Sequence, residues 1–181
     1  NNNYKITPQT FDGWMRILGR VEGSLLWLLE DNPAASAHLR AEAERRGIGR
    51  DRLVFAGRMP VAEHLARHRL ADLCLDTLPY NAHTTASDAL WAGLPVLTCR
   101  GPSFASRVAA SLLDAVGLPE LVTDRQDDFE RLAVELATQP ARLASVKDKL
   151  ARNRLTMPLF DTALFTCHLE DAFVAMVERL R

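Results

Sequence analysis

Short apolar runs alternate with longer segments of helical periodicity along the chain. The apolar runs are predicted as buried strands at 24–29, 52–56, 71–75 and 95–98, with a stub at 121–122. Helices are predicted between them at 7–21, 32–46, 60–69, 84–92 and 106–116. Two polar helices follow at 126–138 and 141–154, and after a Pro158-Leu159-Phe160 break a last helix covers 161–180.

Several of these helices carry start and stop signals. Thr7 precedes Pro8, which places a hydroxyl at the N-cap position and a proline at the first helical position. Asn32-Pro33 repeats this arrangement at the second helix. Glycine follows three predicted helices and ends them, at positions 47, 93 and 117.

The alternation of strands and helices predicts repeated βαβ units and therefore an α/β fold. The strands are continuously apolar, as expected when helices cover both faces of a parallel sheet. Right-handed crossovers then give an open, Rossmann-like parallel sheet with helices on both faces. No linker precedes Pro158, so residues 1–157 are predicted as one lobe and residues 158–181 as an appended C-terminal helix.

Composition and charge exclude several classes of protein. The chain has 181 residues, of which 48% are hydrophobic, and this fits one domain with a sizeable core. The 22 basic and 23 acidic residues give a formal net charge of −1, which disfavours a nucleic-acid binder that relies on bulk positive charge. No apolar run is long enough to cross a membrane. The chain begins with asparagine, and we expect it to be a piece of a longer protein.

The three cysteines give no metal or disulfide pattern, because no two of them have CxxC spacing. Cys74 and Cys99 lie in apolar, strand-like contexts, and Cys167 lies in the last predicted helix. We therefore predict three buried free thiols in a reducing, cytoplasmic compartment.

The loop from Asp76 to Thr85 is the richest candidate site, since ligands of such folds bind at the carboxyl ends of the strands. The dinucleotide loop GxGxxG and the P-loop are both absent from the chain. Thr84 and Thr85 open a helix, where hydroxyl and N–H groups favour a phosphate, and His83 stands beside them. Thr85-x-x-Asp88 also fits a capping box, and the two interpretations are compatible.

A second cluster lies on the helix at 60–69. His64, Arg67 and His68 share one face, which suits either a solvated polar surface or a site that holds a base or phosphate. A metal site that adds His83 has no supporting carboxylate or cysteine spacing. Arginines make the 50–69 stretch locally basic, which favours one anionic ligand over a polyanion.

Two further features have weaker chemical signals. Asp76 ends a predicted strand, where it serves either as a catalytic carboxylate or as a turn residue. Ser103 and Ser106 lack a GxSxG elbow, so a serine hydrolase is disfavoured.

Several motifs, taken together, resemble the C-terminal half of the O-linked N-acetylglucosamine transferases, including their bacterial homologues. The resemblance covers nearly the whole chain, and the joint match is far more specific than any single motif. The motifs, in order, are Tyr4-Lys5-Ile6, His64-x-x-Arg67, Leu70 to Thr77 (LADLCLDT), His83-Thr84-Thr85-x-x-Asp88, Leu90-Trp91-Ala92-Gly93-x-Pro95 and Ala105 to Ser111 (ASRVAAS).

The resemblance implies the C-terminal lobe of a two-lobed GT-B glycosyltransferase. In that family this lobe holds the UDP part of UDP-N-acetylglucosamine, and the transfer inverts the anomeric carbon without a metal or other cofactor. Carried over by motif, Lys5 neutralises the diphosphate and stabilises the leaving group. The helix start at His83, Thr84 and Thr85 binds phosphate oxygens, and Asn2 aligns with a polar residue near the phosphates.

The same resemblance assigns the residues around the base and the ribose. His64 stacks on the uracil, Arg67 lies beside it, and Asp88 accepts hydrogen bonds from the ribose hydroxyls. Some family members have a lysine three residues before the stacking histidine. Val61 stands there in this chain, so one nucleotide contact is lost.

The resemblance also implies partners outside these residues. It predicts an acceptor protein modified on Ser or Thr, an N-terminal lobe that carries the proposed base, and helical repeats in the parent chain. The charge balance and the absence of a long apolar run separately predict no nucleic acid or membrane partner. The last predicted helix is more apolar than an exposed helix needs, and we expect it to pack toward the N-terminal lobe. The apolar residues are Leu164, Phe165, Leu169, Phe173, Met176 and Leu180.

Two other functions stay open at this level. One is a glycosyltransferase lobe with a different donor, such as UDP-glucose or a GDP-sugar. The other is a non-catalytic interaction module that keeps a relic nucleotide pocket.

Overall fold

The computed structural model describes residues 2–179. Strands and α-helices alternate up to β5, and three helices follow, as predicted. The elements are α1 Pro8–Arg20, β1 Leu26–Leu29, α2 Pro33–Arg45, β2 Leu53–Ala56, α3 Val61–Arg67, β3 Cys74–Leu75, α4 Thr84–Trp91, β4 Val96–Cys99, α5 Val108–Ala115, β5 Val122–Thr123, α6 Gln126–Thr138, α7 Pro140–Asn153 and α8 Thr162–Glu178.

The predicted helix signals act as expected at both ends. Thr7 Oγ1 accepts a hydrogen bond from the Thr10 amide at 3.2 Å, and Asn32 Oδ1 accepts one from the amide of Ala34. Gly93 follows α4 and Gly117 follows α5 with φ angles of 86° and 73°. These left-handed angles are accessible to glycine without steric cost, and each helix ends there.

All described strand pairs are parallel, which confirms the predicted α/β class. The backbone hydrogen bonds join β1 to β2 and β3 to β4 to β5, so these residues form two parallel groups and not one continuous ladder. The strand predicted at 71–75 shrinks to Cys74–Leu75. The reason is that a 3₁₀ turn, His68–Leu70, prolongs α3, and the chain first bonds to β4 where Cys74 N donates to Pro95 O.

The core surrounds β4, whose four residues are all buried. Because successive strand residues point to opposite faces, this burial means that both faces of β4 are covered. Five fully buried leucines come from one strand and four helices around it, namely Leu90, Leu97, Leu113, Leu136 and Leu150. Burial of each such side chain stabilises the fold by about 1.5–3 kcal/mol, so the carboxyl end of β4 rests on a rigid base.

Helix α1 is fixed at its middle and at its N-terminus. The Arg16 guanidinium donates to both oxygens of Glu130 on α6, at 2.8 and 2.6 Å, and this lowers the pKa of the Glu130 carboxyl. At the N-terminus of α1, Thr10 Oγ1 donates to Leu78 O at 2.8 Å. Leu78 belongs to the loop between β3 and α4. The bond therefore holds the N-terminus of α1, and with it the residues that precede α1, against that loop.

Helix α8 departs from one prediction. Cys74 is half-buried and Cys99 is buried, but Cys167 on α8 is exposed, so the prediction of three buried thiols is wrong for Cys167. The apolar sequence around Cys167 suggested burial, but α8 buries none of its described residues.

Between Pro158 and Phe160 the chain forms a 3₁₀ turn before α8. The centroid of the Phe160 ring lies 5.1 Å from that of the Trp91 ring.

The apolar residues of α8 lie mostly at the surface. Phe165, Leu169, Phe173 and Met176 are exposed, Leu164 is half-buried, and Leu180 lies outside the described residues. Within residues 2–179, no helix combines the length and the hydropathy needed to cross a membrane.

Candidate functional site

The loop between β3 and α4, residues 76–83, is organised by a buried carboxylate. Asp76 Oδ1 accepts from the amides of Thr77 at 2.8 Å and Ala82 at 2.6 Å, and Oδ2 accepts from Thr98 Oγ1 at 2.7 Å. Both oxygens are therefore engaged by the loop and by β4. Of the two roles open for Asp76, the geometry supports the structural one, because the carboxylate holds the turn.

Asn81 ties the same loop to the segment after β4. Its side chain is fully buried, and Nδ2 donates to Thr77 O at 2.8 Å. The Asn81 amide donates to Ala105 O at 2.9 Å. The loop is thus held at both ends of its turn and presents its outer residues in fixed positions.

Lys5 reaches this loop from the other end of the sequence. Its Nζ donates to Asn81 O at 2.9 Å and lies 4.0 Å from the centroid of the Tyr80 ring. Burial lowers the pKa of the Lys5 ammonium, and the nearby Tyr4 and Asp76 oppose that effect. Asn2 precedes this residue in a 3₁₀ turn, where Asn2 O accepts from the Lys5 amide at 3.1 Å.

Helix α4 begins at this cluster, and its N-cap residue is His83. His83 O accepts from the amides of Ala86 and Ser87, but the His83 side chain makes no capping hydrogen bond. The predicted capping box at Thr85 is therefore wrong, because the N-cap is two residues earlier, at His83, and Thr85 lies inside the first turn of α4. Thr84 and Thr85 are exposed at this positive helix end, which favours an anion.

The aromatic residue Tyr80 completes this side of the site, and the sequence analysis missed it. Its ring stacks on His83, with centroids 4.9 Å apart and an interplanar angle of 23°. The Phe104 ring lies edge-on to His83 at 6.4 Å. The only sequence signal for Tyr80 is its place in the 76–85 loop, because its contact with Lys5 joins distant parts of the chain.

The second cluster lies on α3, as predicted. Arg67 Nε donates to His64 Nδ1 at 3.0 Å, and Arg67 Nη1 donates to Gly57 O at 2.8 Å. The His64 and His68 rings meet edge-on at 4.7 Å. Because Nδ1 of His64 accepts, this geometry assigns its proton to Nε2.

The charge state of His64 follows from its surroundings. Partial burial lowers the pKa of the His64 imidazole, and the neighbouring His68 and Arg67 lower it further, while Asp88 acts in the opposite direction. Asp88 is half-buried on α4 and close enough to act electrostatically on His64. Helix α4 thus connects the two clusters. Its N-terminus lies at the Lys5 cluster, and its residue Asp88 lies near the neutral imidazole of His64.

The residues 2–179 contain no group of three or more His, Cys, Asp or Glu side chains arranged to hold a metal ion. His64 and His68 lie together, but Nδ1 of His64 already accepts from Arg67. The arrangement as a whole can hold a flat ring on α3 and an anion at the start of α4.

Comparison with known proteins decides the family. Residues 1–169 match the sequence model of the family described as Glycosyl transferase family 41. The chain belongs to glycosyl transferase family 41. This confirms the resemblance drawn from the motifs around Lys5, His64 and His83.

Two relatives of the chain carry informative names. The chain is 40% identical over 179 residues to a UDP-N-acetylglucosamine–peptide N-acetylglucosaminyltransferase of Caenorhabditis elegans, covering 99% of this chain and 16% of the relative. It is 38% identical over 177 residues to a probable enzyme of the same name, SEC, from Arabidopsis thaliana, covering 97% of this chain and 18% of the relative. The chain therefore spans less than a fifth of the length of these two relatives.

A solved structure of a family 41 relative agrees with the fold. An O-GlcNAc transferase mutant of Thermobaculum terrenum superposes with a TM-score of 0.90 at 35% identity, over 95% of this chain and 34% of that one. The α/β architecture of parallel strands flanked by helices is therefore the architecture of this part of the family.

Proposed function

We propose that this chain is the UDP-binding, C-terminal lobe of an inverting, metal-independent protein O-glycosyltransferase that uses UDP-N-acetylglucosamine. The proposal rests on one observation, the hydrogen bond from Lys5 to the loop that precedes α4. The printed names of the relatives, which are UDP-N-acetylglucosamine–peptide transferases, support the donor and the peptide acceptor.

The phosphate side of the proposed site carries two sources of positive potential. Lys5 contributes a full charge, and the first turn of α4 at Thr84 and Thr85 contributes the positive end of a helix dipole. Departure of UDP places negative charge on the β-phosphate in the transition state. Preorganised donors at that position stabilise the charge without a divalent metal, and His83 and Asn2 stand beside them.

The residues on the base side of the proposed site contribute more to recognition of the nucleotide than to the chemical step. A neutral His64 ring, held by Arg67 through Nδ1, offers a flat surface on which uracil stacks. In this proposal Arg67 lies beside the base. Asp88, one helix away, accepts hydrogen bonds from the ribose hydroxyls.

The remainder of the parent protein completes the enzyme in this proposal. Residues 1–157 form the nucleotide-sugar lobe, and residues 158–181 reach toward an N-terminal lobe that brings the acceptor Ser or Thr and the base. Helical repeats precede that lobe, and the whole acts in the cytoplasm. The small share of each relative that this chain covers leaves room for those parts.

Binding of UDP to the 181-residue chain tests the proposal. We expect a Kd of about 0.1–1 mM, or roughly −4 to −5.5 kcal/mol, because half a cleft makes fewer contacts than a whole one. Calorimetry or ligand-observed NMR in EDTA measures it, with GDP as the control for the base. An absence of binding at several millimolar UDP overturns the proposal, and stronger binding of GDP reassigns the donor.

Two substitutions separate the base side from the phosphate side. His64→Ala is expected to weaken UDP by about 1–3 kcal/mol, the usual value of one stacked ring, and to leave ribose 5-phosphate nearly unchanged. Lys5→Ala is expected to weaken both ligands, because it removes charge from the phosphates whatever the base. Equal losses for both ligands in the His64 variant would contradict the stacking role.

The exposed apolar face of α8 gives a further prediction. Phe165 and Phe173 are 63% and 56% exposed, so the isolated chain is expected to bind an apolar dye and to self-associate. Sedimentation and dye fluorescence check this, with a Phe165→Glu, Phe173→Glu variant as the control that reduces both signals. A strict monomer at high concentration with no dye binding would argue against a partner for this face.

A further inference from the structure

We infer that Tyr80 is a positioning residue that presents Lys5 and His83 to the phosphate groups of the nucleotide. The inference rests on the proposed function and adds a residue and a mode of action to it. It follows from one aromatic ring that contacts two of the proposed phosphate-binding side chains at once.

The backbone of Tyr80 is fixed before any ligand arrives. Its carbonyl accepts from Thr77 Oγ1 at 2.7 Å, and the next residue, Asn81, is bonded through its amide to Ala105 O at 2.9 Å. The Asp76 carboxylate holds Thr77 and Ala82 on either side of this turn. The backbone from which the Tyr80 ring projects is therefore held in place by hydrogen bonds of the loop itself.

The ring in turn restrains Lys5. The ammonium lies 4.0 Å from the Tyr80 centroid, within the distance of a cation–π interaction, and one of its N–H groups donates to Asn81 O. A lysine ammonium has three donors, so two remain for an anion. Without the ring, the long and flexible side chain is held by a single hydrogen bond.

The ring also restrains His83. The two rings are stacked at 4.9 Å and 23°, while Nε2 of His83 lies 3.3 Å from Ala105 O. Together these contacts hold the imidazole at the first turn of α4. Binding of a ligand then costs less conformational entropy, because these two side chains are already ordered. Preorganisation raises affinity in this way.

Tyr80 is not needed to fill the core, since 44% of its surface is exposed. Its replacement by leucine should therefore leave the unfolding free energy close to that of the unchanged chain. A role in stability and a role in positioning thus make different predictions.

The first test compares UDP with uridine, which lacks phosphates. In the 181-residue chain, Tyr80→Leu is expected to raise the Kd for UDP about tenfold, equivalent to about 1.4 kcal/mol, and to leave the Kd for uridine unchanged. Tyr80→Phe keeps the ring and is expected to restore most of the affinity. Phe173→Leu on α8, an exposed aromatic residue like Tyr80, is the matched control.

The second test is a double-mutant cycle. In a Lys5→Ala background, Tyr80→Leu is expected to raise the Kd for UDP by less than about threefold, because one of its two targets is gone. Loss of UDP and uridine affinity in equal proportion, full additivity with Lys5→Ala, or no change with Tyr80→Leu would overturn the inference. If the unchanged chain binds no UDP, the proposed function itself falls, so the two failures are distinguishable.

Discussion

The 181-residue chain by itself is expected to transfer no sugar from UDP-N-acetylglucosamine to a Ser/Thr peptide above background. Transfer requires donor and acceptor hydroxyl to be held in attack geometry, which supplies about 7–11 kcal/mol of the barrier. It also gains about 10²–10⁴-fold from a general base. In the proposed function, the side chains gathered around α4 all belong to the nucleotide side, and His83 lies at the helix start proposed to bind phosphate.

Labelled UDP-N-acetylglucosamine and a Ser/Thr peptide provide the measurement. The same assay on the parent protein, with the upstream lobe present, is expected to give product. In that longer protein, Lys5→Ala serves as the control, because it removes the charge proposed to stabilise the leaving group. Robust transfer by the 181 residues alone would place the catalytic machinery within this chain and contradict the expectation.

Replacement of Asp76 by alanine is expected to have the largest effect on stability. It leaves two buried amides and the Thr98 hydroxyl without the acceptor that the structure gives them. At about 1–3 kcal/mol for each unsatisfied group, partly relieved by water, the free energy of unfolding should fall by about 3–5 kcal/mol. UDP affinity should fall with it, because the loop that carries Tyr80 and His83 loses its anchor.

A matched control lies four positions earlier in the chain. Asp72 has an 81% exposed side chain that pairs with Lys147, so Asp72→Ala should cost no more than about 1 kcal/mol. Urea unfolding followed by circular dichroism measures both variants. Similar losses for the two aspartates would contradict the role given to the Asp76 carboxylate.

Local signals explain why much of the fold is predictable from the sequence. Thr7-Pro8 marks the start of α1 and Gly93 the end of α4, since each acts through its own backbone conformation or nearest neighbours. The continuously apolar run of β4 predicts coverage on both faces, and all four of its residues are buried. Such features need no knowledge of distant parts of the chain.

Contacts between distant parts of the chain explain what the sequence does not predict. The shortness of β3 depends on where the chain meets β4, and the exposure of Cys167 depends on what covers α8. The start of α4 at Thr84 is as predicted, but its N-cap is His83 and not Thr85, and the loop before it is tied to Asp76 through the Ala82 amide. For the site, motif resemblance proposes Lys5 and His83, but the ring between them is visible only in three dimensions.

The bond between Lys5 and Asn81 joins residues 76 positions apart, so it forms only when these two distant parts of the chain have reached their native positions. The proposed site therefore depends on contacts between distant parts of the chain and is complete only in the folded state. A nucleotide that binds only the native chain therefore stabilises the fold. At a free concentration of ten times its Kd, it adds about 1.4 kcal/mol to the free energy of unfolding.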